Sequence, residues 1–331
     1  MKRRILVTGG AGFIGHHLIH QILETTEFEV VSLDRLDTSG NLNRLAEVRD
    51  LNESFNKRVS VVWHDLKAPL NDMIVKKIGN ISHIFHLAAG SHVDRSIDYP
   101  MEFVMDNVVG TVNLLDYARE SLPDLEQFLY FSTDEVFGPA PEGVFYKEWD
   151  RYNSGNPYSA SKAGAEEMCL AYCNTYKMPI SITHTMNVFG KRQHPEKFIP
   201  LLISHIRDEK KISIHANSEK TQAGSRHYVD AIDVARAVLF LMDNAQIGEK
   251  YNIVGKEETD NLQLAQKIAS TMNKDLNYEL VDFHSARPGH DLRYALSGEK
   301  MKKIGWEPEK ELDHRLSDLI NWSLENSRWL L

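Results

Sequence analysis

The chain has 331 residues, more than one compact core usually holds, so a large unit with a smaller companion is the expected organisation. A formal net charge of -9, with 42% hydrophobic and 26% charged residues, fits a globular protein and excludes the basic face of a nucleic-acid binder. Two cysteines are too few for a disulfide framework, and no apolar run approaches the ~20 residues of a membrane span, so a cytoplasmic protein is expected.

The first predicted strand, Ile5-Leu6-Val7, follows Met1 so closely that no signal peptide is expected. Further apolar runs come at Val30-Val31-Ser32-Leu33, Val59-Ser60-Val61-Val62-Trp63, Ile84-Phe85-His86-Leu87, Phe128-Leu129-Tyr130-Phe131 and Ile180-Ser181-Ile182-Thr183. Most are short and almost continuously apolar, as strands buried on both faces of a parallel sheet should be. Helix-length segments such as residues 15–25 and 107–121 lie between them. The alternation predicts an α/β fold, a Rossmann-type doubly wound parallel sheet. Residues 1–185 read as a dinucleotide-binding domain to which later segments can return. Past about residue 190, prolines 195 and 200 interrupt the pattern, and 186–331 read mainly as a smaller α/β substrate-binding domain.

Thr8-Gly9-Gly10-Ala11-Gly12-Phe13-Ile14-Gly15 links the first strand to the first helix. Glycines 9, 12 and 15 supply the tight turn, close backbone approach and helix packing that a pyrophosphate on a helix N-terminus requires. Asp34 ends the next strand, 19 positions after Gly15, where a carboxylate can accept bonds from the adenosine ribose. That favours NAD over NADP, although the neighbouring Arg35 could meet a 2′-phosphate. Asp65, after the third strand, is placed to touch the adenine or to cap a helix.

Tyr158 and Lys162 sit four apart at the start of a predicted helix, so phenol and ammonium share one face. A nearby cation would stabilise the phenolate. Alone, such a pair is ordinary surface chemistry. Here Ser132-Thr133-Asp134-Glu135 ends a predicted strand, at the sheet edge where ligands sit. Side chains alternate along a strand, so the backbone must bend if both carboxyls are to face one ligand; Gly138-Pro139 is compatible with such a bend.

Together with Gly40-Asn41, Ala88-Ala89-Gly90-Ser91-His92-Val93-Asp94-Arg95-Ser96, Asn107-Val108-Val109-Gly110-Thr111 and Arg287-Pro288-Gly289-His290-Asp291, these motifs resemble the extended short-chain dehydrogenase/reductase superfamily over nearly the whole chain. Within it the chain looks most like the dTDP-glucose 4,6-dehydratases, because related epimerases typically lack the acid pair and decarboxylases typically keep only the glutamate. The resemblance implies a lyase that oxidises a nucleotide-linked hexose at C4, removes water across C5 and C6, and returns the hydride to C6, leaving a 4-keto-6-deoxy sugar and regenerated NAD. It assigns Tyr158 to the C4 hydroxyl proton, Thr133 to its oxygen, and Lys162 to the ribose and to depressing the phenol. Glu135 is assigned to the C5 proton and Asp134 to the departing C6 hydroxyl. Phe13, Ile14, Leu66 and Ala88 join the cofactor set, and a homodimer using the helix of Tyr158 is implied.

For the nucleotide sugar, the resemblance points to Ser91, Asp94, Asn187, Lys197, Arg226 and Arg287, the arginines suiting phosphate through their planar fork. Departures from the family pattern fall at Gly90, usually a larger polar residue, at Val188, at Lys191, and at residues 217–224, where the usual short glycine turn is missing. They are expected around the nucleotide-sugar pocket and leave the nucleotide open. His16, His17 and His20 lack a zincin pattern, so no metal is expected; Cys169 and Cys173 read as packed thiols. A redox-cycling epimerase or decarboxylase is the rival reading, ahead of a non-catalytic NAD-binding protein.

Overall fold

The computed structural model describes residues 3–37, 39–282 and 292–331. Its strands are β1 (Arg4–Thr8), β2 (Glu29–Asp34), β3 (Val59–Trp63), β4 (His83–His86), β5 (Gln127–Thr133), β6 (Ile180–Thr185), β7 (Asn187–Phe189), β8 (Ile212–Ala216), β9 (Ser225–Asp230), β10 (Lys250–Ile253), β11 (Glu258–Asp260) and β12 (Tyr278–Asp282). Seven form one parallel sheet in the order β10-β6-β5-β4-β1-β2-β3. All six apolar runs singled out in the sequence fall on strands of this sheet.

The period of two along a strand explains the layers. Ile5 and Val7 of β1 join one core cluster with Leu18 and Ile22 of helix Phe13–Thr25 and Val234 and Val238 of helix Ala231–Asn244. Leu6 points the other way, joining Leu114 and Leu115 of helix Gly110–Ser121 and Ala165 and Cys169 of helix Pro157–Tyr176. Both faces are therefore dry, and the sheet is a buried α/β core. The segment predicted as one helix over 107–121 enters through a π-helical turn, Val104–Val109, before becoming α-helical at Gly110.

The chain leaves β1 towards β2 and β3, then returns to β4 on the other side. Such a reversal opens a crevice at the carboxyl ends of the strands. β10 comes back from the second half to pair with β6, and helix Ala231–Asn244 packs on helix Phe13–Thr25. The remaining strands form two small sheets, β11-β9-β7 and β12-β8, over a third apolar cluster that includes Leu202, Ile214 and Leu316. Among the described residues no helix is long and apolar enough to cross a membrane.

Candidate active site

The crevice above β1, β4 and β5 is a cavity of about 410 Å³. At one end lies the glycine turn. Gly9 has φ +70°, and a Cβ there would come within 2.9 Å of the Ala88 amide nitrogen; a Cβ on Gly15 would lie 2.1 Å from the Gly9 carbonyl oxygen. Only glycine fits either place. Helix Phe13–Thr25 starts without a side-chain cap, so its first amides remain available to an anion. Asp34 accepts hydrogen bonds from the Ala11 amide (3.1 Å) and the Leu36 amide (2.8 Å), while burial raises its pKa. Phe13, Ile14, Asp65, Leu66 and Ala88 line the same space.

Arg35 is already committed. Its fork holds both oxygens of Asp106 (2.5 and 2.8 Å) and its Nε donates to Asp37 (2.6 Å). A guanidinium spent in this way offers little to a 2′-phosphate, so the donor set fits NAD.

At the other end, β5 stops at Thr133 and the chain turns into a 3-10 helix, Asp134–Phe137, closed by Gly138 at φ +75°. This is the bend that the paired acids require. Thr133 Oγ1 donates to Asp134 Oδ1 (3.0 Å), and Asn156 Nδ2 donates to Glu135 Oε2 (3.2 Å). Asn156 also caps helix Pro157–Tyr176 through its side-chain oxygen, so one amide group fixes both the helix of Tyr158 and Lys162 and the second acid. Sequence reasoning missed this residue, although an Asn-Pro helix start with serine at the third helical position is a capping signal.

Burial dominates the electrostatics. It raises Asp134 to about 6, and it raises Glu135 to about 7 with help from the neighbouring Asp134 charge. Lys162 is pulled down to about 7; its Nζ donates to the Phe131 carbonyl (2.6 Å) and lies 4.3 Å from the Tyr130 ring centroid. The expected depression of Tyr158 by Lys162 is corrected here. The phenol is pushed up instead, first by burial and then by the Glu135 charge, while the Lys162 ammonium donates to the Phe131 carbonyl; a hydrogen bond with Thr133 only partly opposes this. Thr133, Asp134, Glu135, Tyr158 and Lys162 all face the cavity.

Of the substrate candidates, Ser91, Asn187 and Lys197 line the cavity, whereas Asp94 and Arg226 do not. Arg226 is buried against the Tyr294 ring and donates to the Ser225 and Leu292 carbonyls (2.6 and 2.7 Å), although its charge still lowers the pKa of both acids. Arg287 lies outside the described residues. The departures divide similarly: Gly90 and Val188 line the cavity, while Lys191 and the 217–224 turn do not. Gly90 is held by Asn107, which accepts from its amide (2.7 Å) and donates to its carbonyl (3.1 Å) and to Ser161 (2.9 Å). His16 and His17 are buried against the Gly12 and Lys191 carbonyls, with pKa values lowered by burial, and both cysteines are buried free thiols.

The sequence model of the GDP-mannose 4,6 dehydratase family matches residues 6–319. The chain belongs to that family. The dTDP-glucose 4,6-dehydratase of Escherichia coli is 34% identical to this family member, over 99% of this chain and 94% of its own length. Among solved structures, the dTDP-glucose 4,6-dehydratase DesIV of Streptomyces venezuelae, crystallised with NAD, superimposes with TM-score 0.88 and 32% identity, covering 98% of each chain. A UDP-glucose 4-epimerase of Thermus thermophilus, also complexed with NAD, gives 0.84 at 26%, covering 96% of this chain and 98% of its own. The Rossmann-type sheet is thus common to dehydratases and epimerases, and the site residues must separate them.

Proposed function

We propose that the protein is an NAD-dependent lyase that dehydrates a nucleotide-diphosphate hexose to its 4-keto-6-deoxy form. The observation that carries this is Asp134 and Glu135 turned into one cavity with Tyr158 and Lys162. Gly9, Gly12, Gly15, Asp34, Asp65 and Leu66 would hold the adenosine and pyrophosphate, with Tyr158 and Lys162 at the far end. Bound there, NAD would supply the acceptor for the C4 hydride and a positive ring beside the raised phenol.

The chain's own groups supply the proton chemistry. Tyr158, hydrogen-bonded with Thr133, would take the C4 hydroxyl proton as a phenolate, the form that a positive nicotinamide ring beside it would favour against burial. The ketone formed at C4 makes the C5 proton acidic, and the Glu135 carboxylate removes it. Asp134, kept partly protonated by burial, gives its proton to the C6 hydroxyl as water leaves. Lys162 carries charge to the ribose end, and Ser91, Asn187 and Lys197 meet the sugar diphosphate.

Residues 1–185 with the returning 231–253 segment would form the cofactor unit, and the remainder the nucleotide end. A homodimer is part of the proposal. Ile97, Tyr99, Met101, Val104 and Met105 are exposed apolar side chains on segments packed against helix Pro157–Tyr176, a surface suited to a second copy. Two buried free thiols fit a reducing compartment, the cytoplasm.

The test is incubation with dTDP-, UDP-, GDP- and CDP-hexoses and catalytic NAD, followed by mass spectrometry. Loss of one water from one substrate, with no net NADH, is the expected result. A change of sugar stereochemistry or release of carbon dioxide, without loss of water, would replace the proposal with the epimerase or decarboxylase reading.

A further inference from the structure

The Arg35–Asp106 pair joins two walls of the cavity that are 71 residues apart in sequence. Arg35 follows β2, on one side of β1; Asp106 lies on the π-helical turn Val104–Val109, after β4 on the other side. A link from the β2 side to the β4 side passes over the carboxyl end of β1, where the glycine turn sits. The link is built with care. The two side chains meet as a paired fork, Asp37 takes the third guanidinium nitrogen, and Asp106 is only 10% exposed. Gly90 makes room for it: a Cβ there would come within 3.2 Å of both Asp106 Oδ2 and the Phe103 ring. The sequence departure at Gly90 thereby acquires a physical reason. A larger side chain would press on the carboxylate that Arg35 holds.

We propose that the Arg35–Asp106 pair is a latch closed over the adenosine half of a bound dinucleotide, so that the cofactor leaves slowly and stays with the protein through many turnovers. This rests on the reading of the cavity as an NAD site. An enzyme that regenerates its cofactor in each cycle gains nothing from exchanging it. A latch lowers the release rate and leaves the reacting end untouched, in keeping with the general finding that affinity is tuned mostly through dissociation.

The test is a chase experiment. Wild-type protein, Asp106→Asn and Arg35→Lys are loaded with radiolabelled NAD and gel-filtered, and label loss into excess unlabelled NAD is followed. Asp106→Asn should release label about five- to tenfold faster, a change of roughly 1 kcal/mol suited to a partly exposed pair. Arg35→Lys, which keeps the charge and loses the fork, should fall between; it also serves if the asparagine variant does not fold. Raising salt should speed release from wild type and not from Asp106→Asn. Folded variants that release label at the wild-type rate overturn the latch and leave the NAD reading standing. Wild-type protein that takes up no NAD overturns both.

Discussion

Replacing Glu135 with glutamine should make the cofactor-free protein more stable while abolishing dehydration. Glu135 rises from an ordinary 4.5 to about 7, mainly through burial. A carboxyl raised on folding contributes fully below its unfolded pKa and loses that contribution as pH climbs through the folded value. A rise of about 2.5 units corresponds to about 3 kcal/mol that the folded protein forgoes above pH 8. Glutamine carries no charge to bury and can still accept the bond from Asn156 Nδ2. Urea unfolding at pH 8 should therefore show Glu135→Gln more stable than the parent by about 2–3 kcal/mol, with the difference nearly gone at pH 4.5. The same preparation should turn over no nucleotide hexose. A variant no more stable than the parent at pH 8 would refute the claim that this carboxylate is held at a cost, and a variant that still removes water would refute its role as base.

The remaining predictions test neighbouring groups. If Glu135 must be ionised and Asp134 protonated, pKa values of about 7 and about 6 leave at most roughly 6% of the enzyme productive, so kcat/KM should peak in a bell near pH 6.5. Asp134→Asn removes the acid and should lower kcat sharply; its residual activity should lack the alkaline limb and, with a neighbouring negative charge deleted, show the acidic limb at lower pH, and an unmoved limb counts against the pairing. Gly15→Ala drives a Cβ into the Gly9 carbonyl and should weaken NAD binding at least about tenfold by calorimetry, with unchanged affinity as the failing result. Asn107→Ala strips both backbone groups of Gly90 of their partner and should cost about 2–3 kcal/mol in denaturant; a loss under about 0.5 kcal/mol would mean that those groups find other partners.

What the sequence made legible is local. The strands of the large sheet announce themselves because both faces are dry, which leaves continuous apolar runs, and the glycine turn and Asp34 are fixed by spacing alone. Tyr158 and Lys162 follow from helical period. Contacts between distant segments are harder to read. Nothing near Arg35 says that Asp106 will occupy its fork, and nothing near Glu135 says that Asn156 will hold it, because such partners are set by tertiary packing. Arg226 shows the converse. The resemblance assigns it to the nucleotide sugar, and the fold adds contacts to two carbonyls and an aromatic ring that residue type does not reveal. The sense of the Tyr158 shift was lost for the same reason, since the depth of burial around a phenol belongs to the fold.

The return of β10 to the edge of the large sheet has a practical corollary. A protein cut after residue 185 would lose an edge strand and the helix Ala231–Asn244 that covers Leu18 and Ile22, leaving bare apolar surface where core had been. The cofactor half is therefore no interchangeable cassette. In a hybrid joined near the middle, the strand and helix that complete the cofactor half would come from the other parent, so their packing against Leu18 and Ile22 has to match across the join.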